Sequence, residues 1–212
     1  MVFRLGHELI FPDPSLADDD GWLAVGGDLQ PERLLLAYRH GIFPWYSEGD
    51  PICWYSPHER FVIYADEVHV SGSMQRLLRS GKYTVTKDQD FAAVIRHCAD
   101  MPRAGQDGTW ITPEMMDAYI RLHDIGAAHS VEVWLADRLV GGIYGVVVGR
   151  VFCGESMFSL APSASKVALI NLCRSGRYDL IDCQFHTPHL ERMGGKFISR
   201  EALQHHLSAA EK

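Results

Sequence analysis

Apolar positions recur along this chain with two periods. Phe91, Val94, Ile95 and Cys98 fall at i, i+3, i+4 and i+7, the spacing that gathers side chains on one helix face, and Asp88 stands ahead of them as the predicted N-cap. A shorter helix is predicted where Pro31 sits near a first turn, Leu34, Leu35 and Tyr38 share a face, and Gly41 lies just past the end. Thr112-Pro113 opens another, with Met115, Tyr119 and Leu122 on one stripe and Gly126 as its stop. Helices are also expected over 71–80, over about 163–173 and near 199–207. Period two appears where Val131, Val133 and Leu135 alternate with Glu132 and Trp134. A turn at Asp137-Arg138 leads into a strand over 139–148, and Gly149-Arg150 turns the chain into 151–153, which makes an antiparallel meander. With further strands over 61–64 and 180–185, the fold class is α+β: one mixed, mostly antiparallel sheet flanked by helices.

The first quarter of the chain is different. Pro12, Pro14, Gly21, Gly26, Gly27 and Pro31 punctuate residues 11–31 and predict turns and loops. After the short helix come Phe43, Pro44, Trp45, Tyr46, Trp54, Tyr55 and Pro57. The prolines forbid a regular helix, and so aromatic a segment is no mobile linker, so it reads as a shaped wall.

Composition narrows the class. Of 212 residues, 47% are hydrophobic and 22% charged, an ordinary globular composition that excludes disorder and fibrous repeats. No apolar run approaches the ~18 residues of a membrane span, and no early h-region suggests a signal peptide. Five scattered cysteines without a C-x-x-C pair predict free thiols and a cytoplasmic setting. A formal charge of −7 speaks against a protein that coats nucleic acid. The charge is unevenly spread, however. Residues 7–28 hold six acids and no Lys or Arg, whereas residues 74–103 hold six bases, Arg76, Arg79, Lys82, Lys87, Arg96 and Arg103, against three acids. That local basic face either holds a phosphate backbone or is a solvated helix face.

Several strings invite chemistry. Period two along Leu180-Ile181-Asp182-Cys183-Gln184-Phe185 puts Asp182 and Gln184 on one face and Ile181, Cys183 and Phe185 on the core face. A buried acid is costly unless paired, so the first pair is either a satisfied structural network or a site. Gly154-Glu155-Ser156-Met157-Phe158-Ser159 follows the third meander strand and suits a site edge or a Ser-capped turn. It is not a G-x-S-x-G elbow, because Phe158 replaces the second glycine. His186-Thr187-Pro188-His189, near Asp182, Cys183 and Glu191, lacks a matching second ligand pair and has a proline between its histidines, so no metal is expected. Cys153 or Cys183 as a nucleophile would need a histidine fixed by an acid. Neither G-x-x-x-x-G-K-[ST] nor G-x-G-x-x-G occurs. Trp45, Trp54, Trp110 and Tyr119 are core residues or a stacking platform for a base.

Taken together, many strings resemble the leucyl/phenylalanyl-tRNA–protein transferases. They are Gly26-Gly27-Asp28-Leu29, Gly41-Ile42-Phe43-Pro44-Trp45, Ser56-Pro57, Gly108-Thr109-Trp110-Ile111-Thr112 and Ala118-Tyr119 with Leu122-His123. They continue with His129-Ser130-Val131-Glu132-Val133-Trp134, Leu139-Val140-Gly141-Gly142-Ile143-Tyr144-Gly145, Phe152-Cys153-Gly154-Glu155-Ser156-Met157-Phe158-Ser159, Ser165-Lys166, Asp182-Cys183-Gln184 and His189-Leu190. The similarity spans about residues 11–207 in the family's order.

The resemblance implies a small N-terminal domain, 1–59, packed on a domain of the acetyltransferase-like (GNAT) superfamily, 60–212. It implies transfer of Leu or Phe, and Met less well, from aminoacyl-tRNA to the α-amine of proteins beginning with Arg or Lys. Such a product is a bacterial N-degron. The implied partners are aminoacyl-tRNA and those acceptor proteins, with no membrane and a monomeric enzyme. An aminoacyl ester is already activated, so no cofactor or metal is expected. The implied catalytic residues are Asp182, to accept a hydrogen bond from the amine, Gln184, to orient either partner, and Glu155, to hold Asp182 or the acceptor's cation. For the substrate, Trp45 and Trp110 are implied as a platform for the terminal adenosine with Tyr119 nearby, Ile143, Met157 and the helix near Leu169 at the amino-acid pocket, and Ser156 as a further substrate contact. Arg76, Arg79, Lys82 and Lys87 are the implied tRNA contacts. Two departures stand out. Gln75 and Leu78 lie where relatives are often more basic, and the stretch from Lys166 to Asp182 is about one helical turn shorter than usual.

The competing readings are an acetyl-CoA-dependent N-acetyltransferase, which wants a glycine-dense phosphate turn where Gly154-Glu155-Ser156-Met157 stands, and a non-catalytic RNA- or peptide-binding module.

Overall fold

The computed structural model describes residues 2–101 and 109–208; Arg103 and Gly108 lie outside the described residues. The first strands form a four-stranded sheet: β1 (Phe3–Leu5), β2 (Trp22–Gly26), β3 (Phe43–Pro44) and β4 (Cys53–Tyr55), in the order β1-β2-β4-β3. β2 corrects the expectation of turns and loops over 11–31. The glycines and prolines bracket a strand whose Leu23 and Ala24 are fully buried, and the Trp54 indole N–H donates to the Gly26 carbonyl at 2.8 Å. Between β2 and β3 runs α1 (Pro31–Arg39), with proline in its first turn as predicted. Gly41, at φ +70°, ends the turn after it in a conformation open to glycine at little cost.

A seven-stranded sheet follows. Its strands are β5 (Glu59–Tyr64), β6 (Thr84–Lys87), β7 (Ala128–Leu135), β8 (Arg138–Val148), β9 (Val151–Ser159), β10 (Leu180–Asp182) and β11 (Lys196–Ser199), ordered β11-β5-β10-β9-β8-β7-β6. Only β9 and β10 pair in parallel, so the predicted mostly antiparallel mixed sheet is present. β6 and β11 join it at its two edges, where the apolar pattern is too short to declare a strand. The helices are α2 (Gly72–Arg79), α3 (Phe91–Asp100), α4 (Pro113–Asp124), α5 (Ala164–Cys173), α6 (Pro188–Glu191) and α7 (Arg200–Ser208). One sheet face packs a core of α1, α3, α4 and α7 residues, among them Tyr38, Val94, Tyr119 and Leu203. The other packs α5, seven of whose ten residues are buried, with Ser165, Lys166 and Asn171 half-buried among them.

Three local expectations change. The N-cap of α3 is Asp90, whose carboxylate accepts from the Ala93 N–H at 3.0 Å. Asp88 instead takes φ 57° at the end of β6, accepts from the Ser130 N–H at 2.8 Å and meets His129 Nδ1 at 2.8 Å. The string 154–159 belongs to β9 itself. Its pairing shifts between Tyr144↔Ser156 and Gly145↔Gly154, so Glu155 is the extra residue of a β-bulge, the device that re-aims one side chain. A Cβ on Gly145, opposite the bulge, would stand 2.2 Å from the Cys153 carbonyl oxygen. Finally, the strand predicted over 180–185 stops at Asp182. Gln184 is left-handed at φ 60°, which breaks the period-two alternation.

Candidate active site

The parallel pairing of β9 and β10 ends at Cys153↔Asp182. Beyond it β9 continues along β8, while the chain after β10 turns away at Gln184. The gap opens a cavity of about 410 Å³, at the carboxyl ends of parallel strands, where open sheets commonly bind ligands. Ile143 on β8, Met157 on β9 and Leu169 on α5 form its apolar side, Glu155, Ser156 and Gln184 its polar edge, and Trp45 and Trp110 also wall it. Eight of the ten residues expected at the chemistry or the substrate therefore meet around one space.

The other two do not line it. Asp182 is fully buried and occupied by Arg60. Arg60 Nε donates to Oδ1 at 3.2 Å, a second guanidinium nitrogen binds Oδ2, and the third donates to the Gly41 carbonyl at 2.6 Å. Asp182 Oδ1 also accepts from the Gln184 N–H at 3.0 Å, which pins the left-handed turn. Arg60 lies over the Phe43 ring, 4.8 Å from its centroid. Tyr119 is likewise fully buried. It sits behind the cavity wall and donates to Glu155 Oε2 at 3.1 Å, with Tyr38 bonded in turn to its hydroxyl.

Glu155 is the electrostatic centre. Gln184 Nε2 donates to its Oε1 at 2.9 Å. Burial pushes its carboxyl up to about 7, against the pull of hydrogen bonds from Tyr38, Tyr119 and Gln184, while the Asp182 charge adds to the rise. Burial, followed by the Glu155 charge, also holds Tyr38 and Tyr119 well above the usual tyrosine range. Cys183, expected in the core, is half-buried and lines the cavity; burial and then Asp182 raise its thiol well above the usual range, so it is no ready nucleophile. Phe185, also expected in the core, is 41% exposed and stands with Trp45 and Phe43, at centroid distances of 5.3 and 5.7 Å.

The residues named for zinc do not converge. Asp182 belongs to Arg60, His186 pairs with Glu191 at 3.1 Å, and His189 lies in the cavity wall. Elsewhere Asp88, His123 and His129 bring ligand atoms within 4.8 Å of one another. There His123 Nδ1 meets the Ala128 carbonyl at 2.9 Å and His129 Nδ1 meets Asp88 at 2.8 Å.

Of the basic residues, Arg76 and Arg79 are exposed on α2, and Lys82 is exposed with its ammonium 5.1 Å from the Tyr83 ring centroid. Lys87 differs. It is half-buried at the end of β6, 3.8 Å from Asp88, and burial lowers its pKa. Sequence reasoning missed Arg60 and Tyr38. Arg60 had one visible signal, a cation heading an apolar strand, whereas Tyr38 looked like any core residue.

Two family profiles match the chain: "Leucyl/phenylalanyl-tRNA protein transferase" over residues 62–208 and its N-terminal domain over residues 27–58. The chain is 55% identical over 202 residues to a leucyl/phenylalanyl-tRNA–protein transferase of Anaeromyxobacter sp. (strain Fw109-5), covering 94% of this chain and 86% of that one. It is 57% identical to that of Syntrophobacter fumaroxidans, with the same coverage, and 54% identical to that of Stutzerimonas stutzeri, covering 94% and 92%. With both profiles and more than half of all aligned positions in agreement, the chain belongs to the leucyl/phenylalanyl-tRNA–protein transferase family.

Proposed function

We propose that the protein transfers Leu, Phe and, less efficiently, Met from aminoacyl-tRNA to the N-terminal α-amine of proteins beginning with Arg or Lys, marking them for bacterial N-end rule degradation. The observation that carries this reading is the cavity at the parting of β9 and β10, apolar on the side of Ile143, Met157 and Leu169 and polar at Gln184 and Glu155. It suits an aliphatic or aromatic side chain whose ester carbonyl stops at the polar edge. Trp45 and Trp110 offer faces for the terminal adenosine.

In the reaction the acceptor amine attacks the ester carbonyl carbon. The new C–N bond forms as the C–O bond to the terminal ribose breaks, and the ribose oxygen takes the proton that the amine gives up. The substrate arrives activated, so orientation supplies much of the rate. Gln184 donates its amide N–H to Glu155, which leaves its carbonyl oxygen to accept from the amine. Asp182 acts one layer behind. With Arg60 on both oxygens and the Gln184 N–H on one, it holds the turn that presents Gln184. Glu155 fixes the Gln184 amide from one oxygen and is itself held from the other by Tyr119, so the carbonyl of Gln184 keeps its aim at the amine. Arg76, Arg79 and Lys82 offer charge for the tRNA backbone, and Lys87 less of it.

The meander, helix and parallel strand, with a cavity where the parallel strands part, support an acetyltransferase-like domain over 60–212 and a smaller one before it. The two share one continuous core through Tyr38, Ile42 and Tyr119.

The test is transfer of label from Leu-, Phe- and Val-tRNA to a protein beginning with Arg, beside one beginning with Ala. Label from Leu and Phe alone, on the Arg acceptor alone, is expected. Acetylation from acetyl-CoA with no transfer from any tRNA would replace this reading with the acetyltransferase one.

A further inference from the structure

A second cavity, of about 550 Å³, shares Trp45 and Trp110 with the first and is lined also by the N-terminal sheet residues Trp22 and Tyr55 and by Tyr46 in the loop after β3. Tyr55 is its hub, with ring centroids of Trp45 at 5.6 Å and Trp22 at 6.4 Å. No Lys, Arg or His is among its described walls, and Asp50, on the exposed turn between β3 and β4, is. Asp18 and Asp20 lie close enough that their charges, after burial and Cys53, raise the Tyr55 phenol. Among the described residues no base forms an ion pair with Asp18, Asp20 or Asp50. Aromatic faces beside unneutralised carboxylates are the chemistry that recognises an organic cation. A nucleoside would also stack here, but it brings phosphate against three acids.

We infer that this second cavity holds the cationic side chain of the acceptor's first residue against Tyr55 and Trp22, with Asp50 and Asp20 supplying the opposite charge. The shared Trp45–Trp110 wall then brings that residue's α-amine to the edge of the first cavity, where Gln184 waits. This deepens the transfer reading above and rests on it. Glu155 is poorly placed for the same task, because Tyr119 and Gln184 already occupy both its oxygens.

The test is binding of a short peptide beginning with Arg, read by tryptophan fluorescence, beside the same peptide beginning with citrulline, which keeps the shape and loses the charge. The protein is compared with an Asp20→Asn/Asp50→Asn variant, whose changes are both on exposed side chains and whose folding a thermal melt checks. The Arg peptide is expected to bind the variant about tenfold more weakly, and the citrulline peptide to bind both forms weakly. In the transfer assay the shift should fall on the KM of the acceptor and not on that of Leu-tRNA. Equal binding of the Arg peptide to both forms, or no binding to either, overturns the assignment. So does a rise in the KM of Leu-tRNA alone, which would make the terminal adenosine the occupant. A Tyr55→Leu variant gives an independent readout, since it keeps the acids and removes the central ring; it too should weaken the Arg peptide, and unchanged binding would overturn the assignment. Charge-selective peptide binding without leucine transfer would refute the transfer reading and leave the cation site standing.

Discussion

Gln184 Nε2 stands 2.9 Å from Glu155 Oε1, and each residue reaches that position through a break in regular β structure. Glu155 is the extra residue of the bulge in β9, and Gln184 is the left-handed residue after β10. Two irregularities on neighbouring parallel strands thus place an amide and a buried acid at the mouth of one cavity. The way that pair is held sets how the protein responds to pH and to substitution.

The raised carboxyl of Glu155 makes stability depend on pH. Its value is about 7 in the folded protein against 4.5 for an unperturbed glutamate, so between these values the folded state binds more protons than the unfolded one. Stability must therefore fall as pH rises from about 4.5 through about 7, and level off above. This one group accounts for a fall on the order of 3 kcal/mol. Urea denaturation at pH 5 and pH 8 should show it in the wild type, with a smaller difference in Glu155→Gln. An equal pH difference in both proteins would place the effect elsewhere.

Arg60→Ala should cost about 3–5 kcal/mol, because it leaves the Asp182 carboxylate buried and unpaired. Asp182→Asn in the same protein should recover part of the loss, since a neutral amide is cheaper to bury. Chemical denaturation of the two single variants and the double variant gives the coupling directly. Strictly additive losses would mean that the pair does not act as a unit.

Met157→Ala widens the apolar side of the first cavity. Discrimination between Leu-tRNA and the β-branched Val-tRNA, read as the ratio of kcat/KM, should fall by about 1–3 kcal/mol, or roughly 10–200-fold. An unchanged ratio would remove Met157 from the amino-acid pocket.

The basic patch is thin, so tRNA binding should be weak and strongly salt-sensitive. Arg76→Ala with Arg79→Ala should flatten the plot of log affinity against log salt by about 0.7–0.9 for each phosphate that is no longer neutralised. A slope identical to that of the wild type would show that α2 does not touch the tRNA backbone. Lys87→Ala should change the slope less, because that ammonium is half-buried and faces Asp88.

Local order carried most elements into the sequence. The stripes Phe91-Val94-Ile95-Cys98 and Met115-Tyr119-Leu122 predict α3 and α4, because helix periodicity survives where one face is buried, and the alternation around Val131 and Val133 predicts β7, although there Glu132 on the other face is buried too and Leu135 is exposed. The family strings also named Glu155, Gln184 and the aromatic and apolar walls. Tertiary structure alone decided how these residues meet. Period two placed Gln184 beside Asp182, but Arg60, 122 residues away in sequence, claims the Asp182 carboxylate, and the backbone turns at Gln184 to satisfy what remains of it. Likewise nothing local marks the bulge that turns Glu155 inward, since it arises from the pairing of β9 with β8 around Gly145. Periodicity records which side of an element faces the core. Which buried charge finds which partner depends on contacts between distant segments, and only the folded chain brings those together.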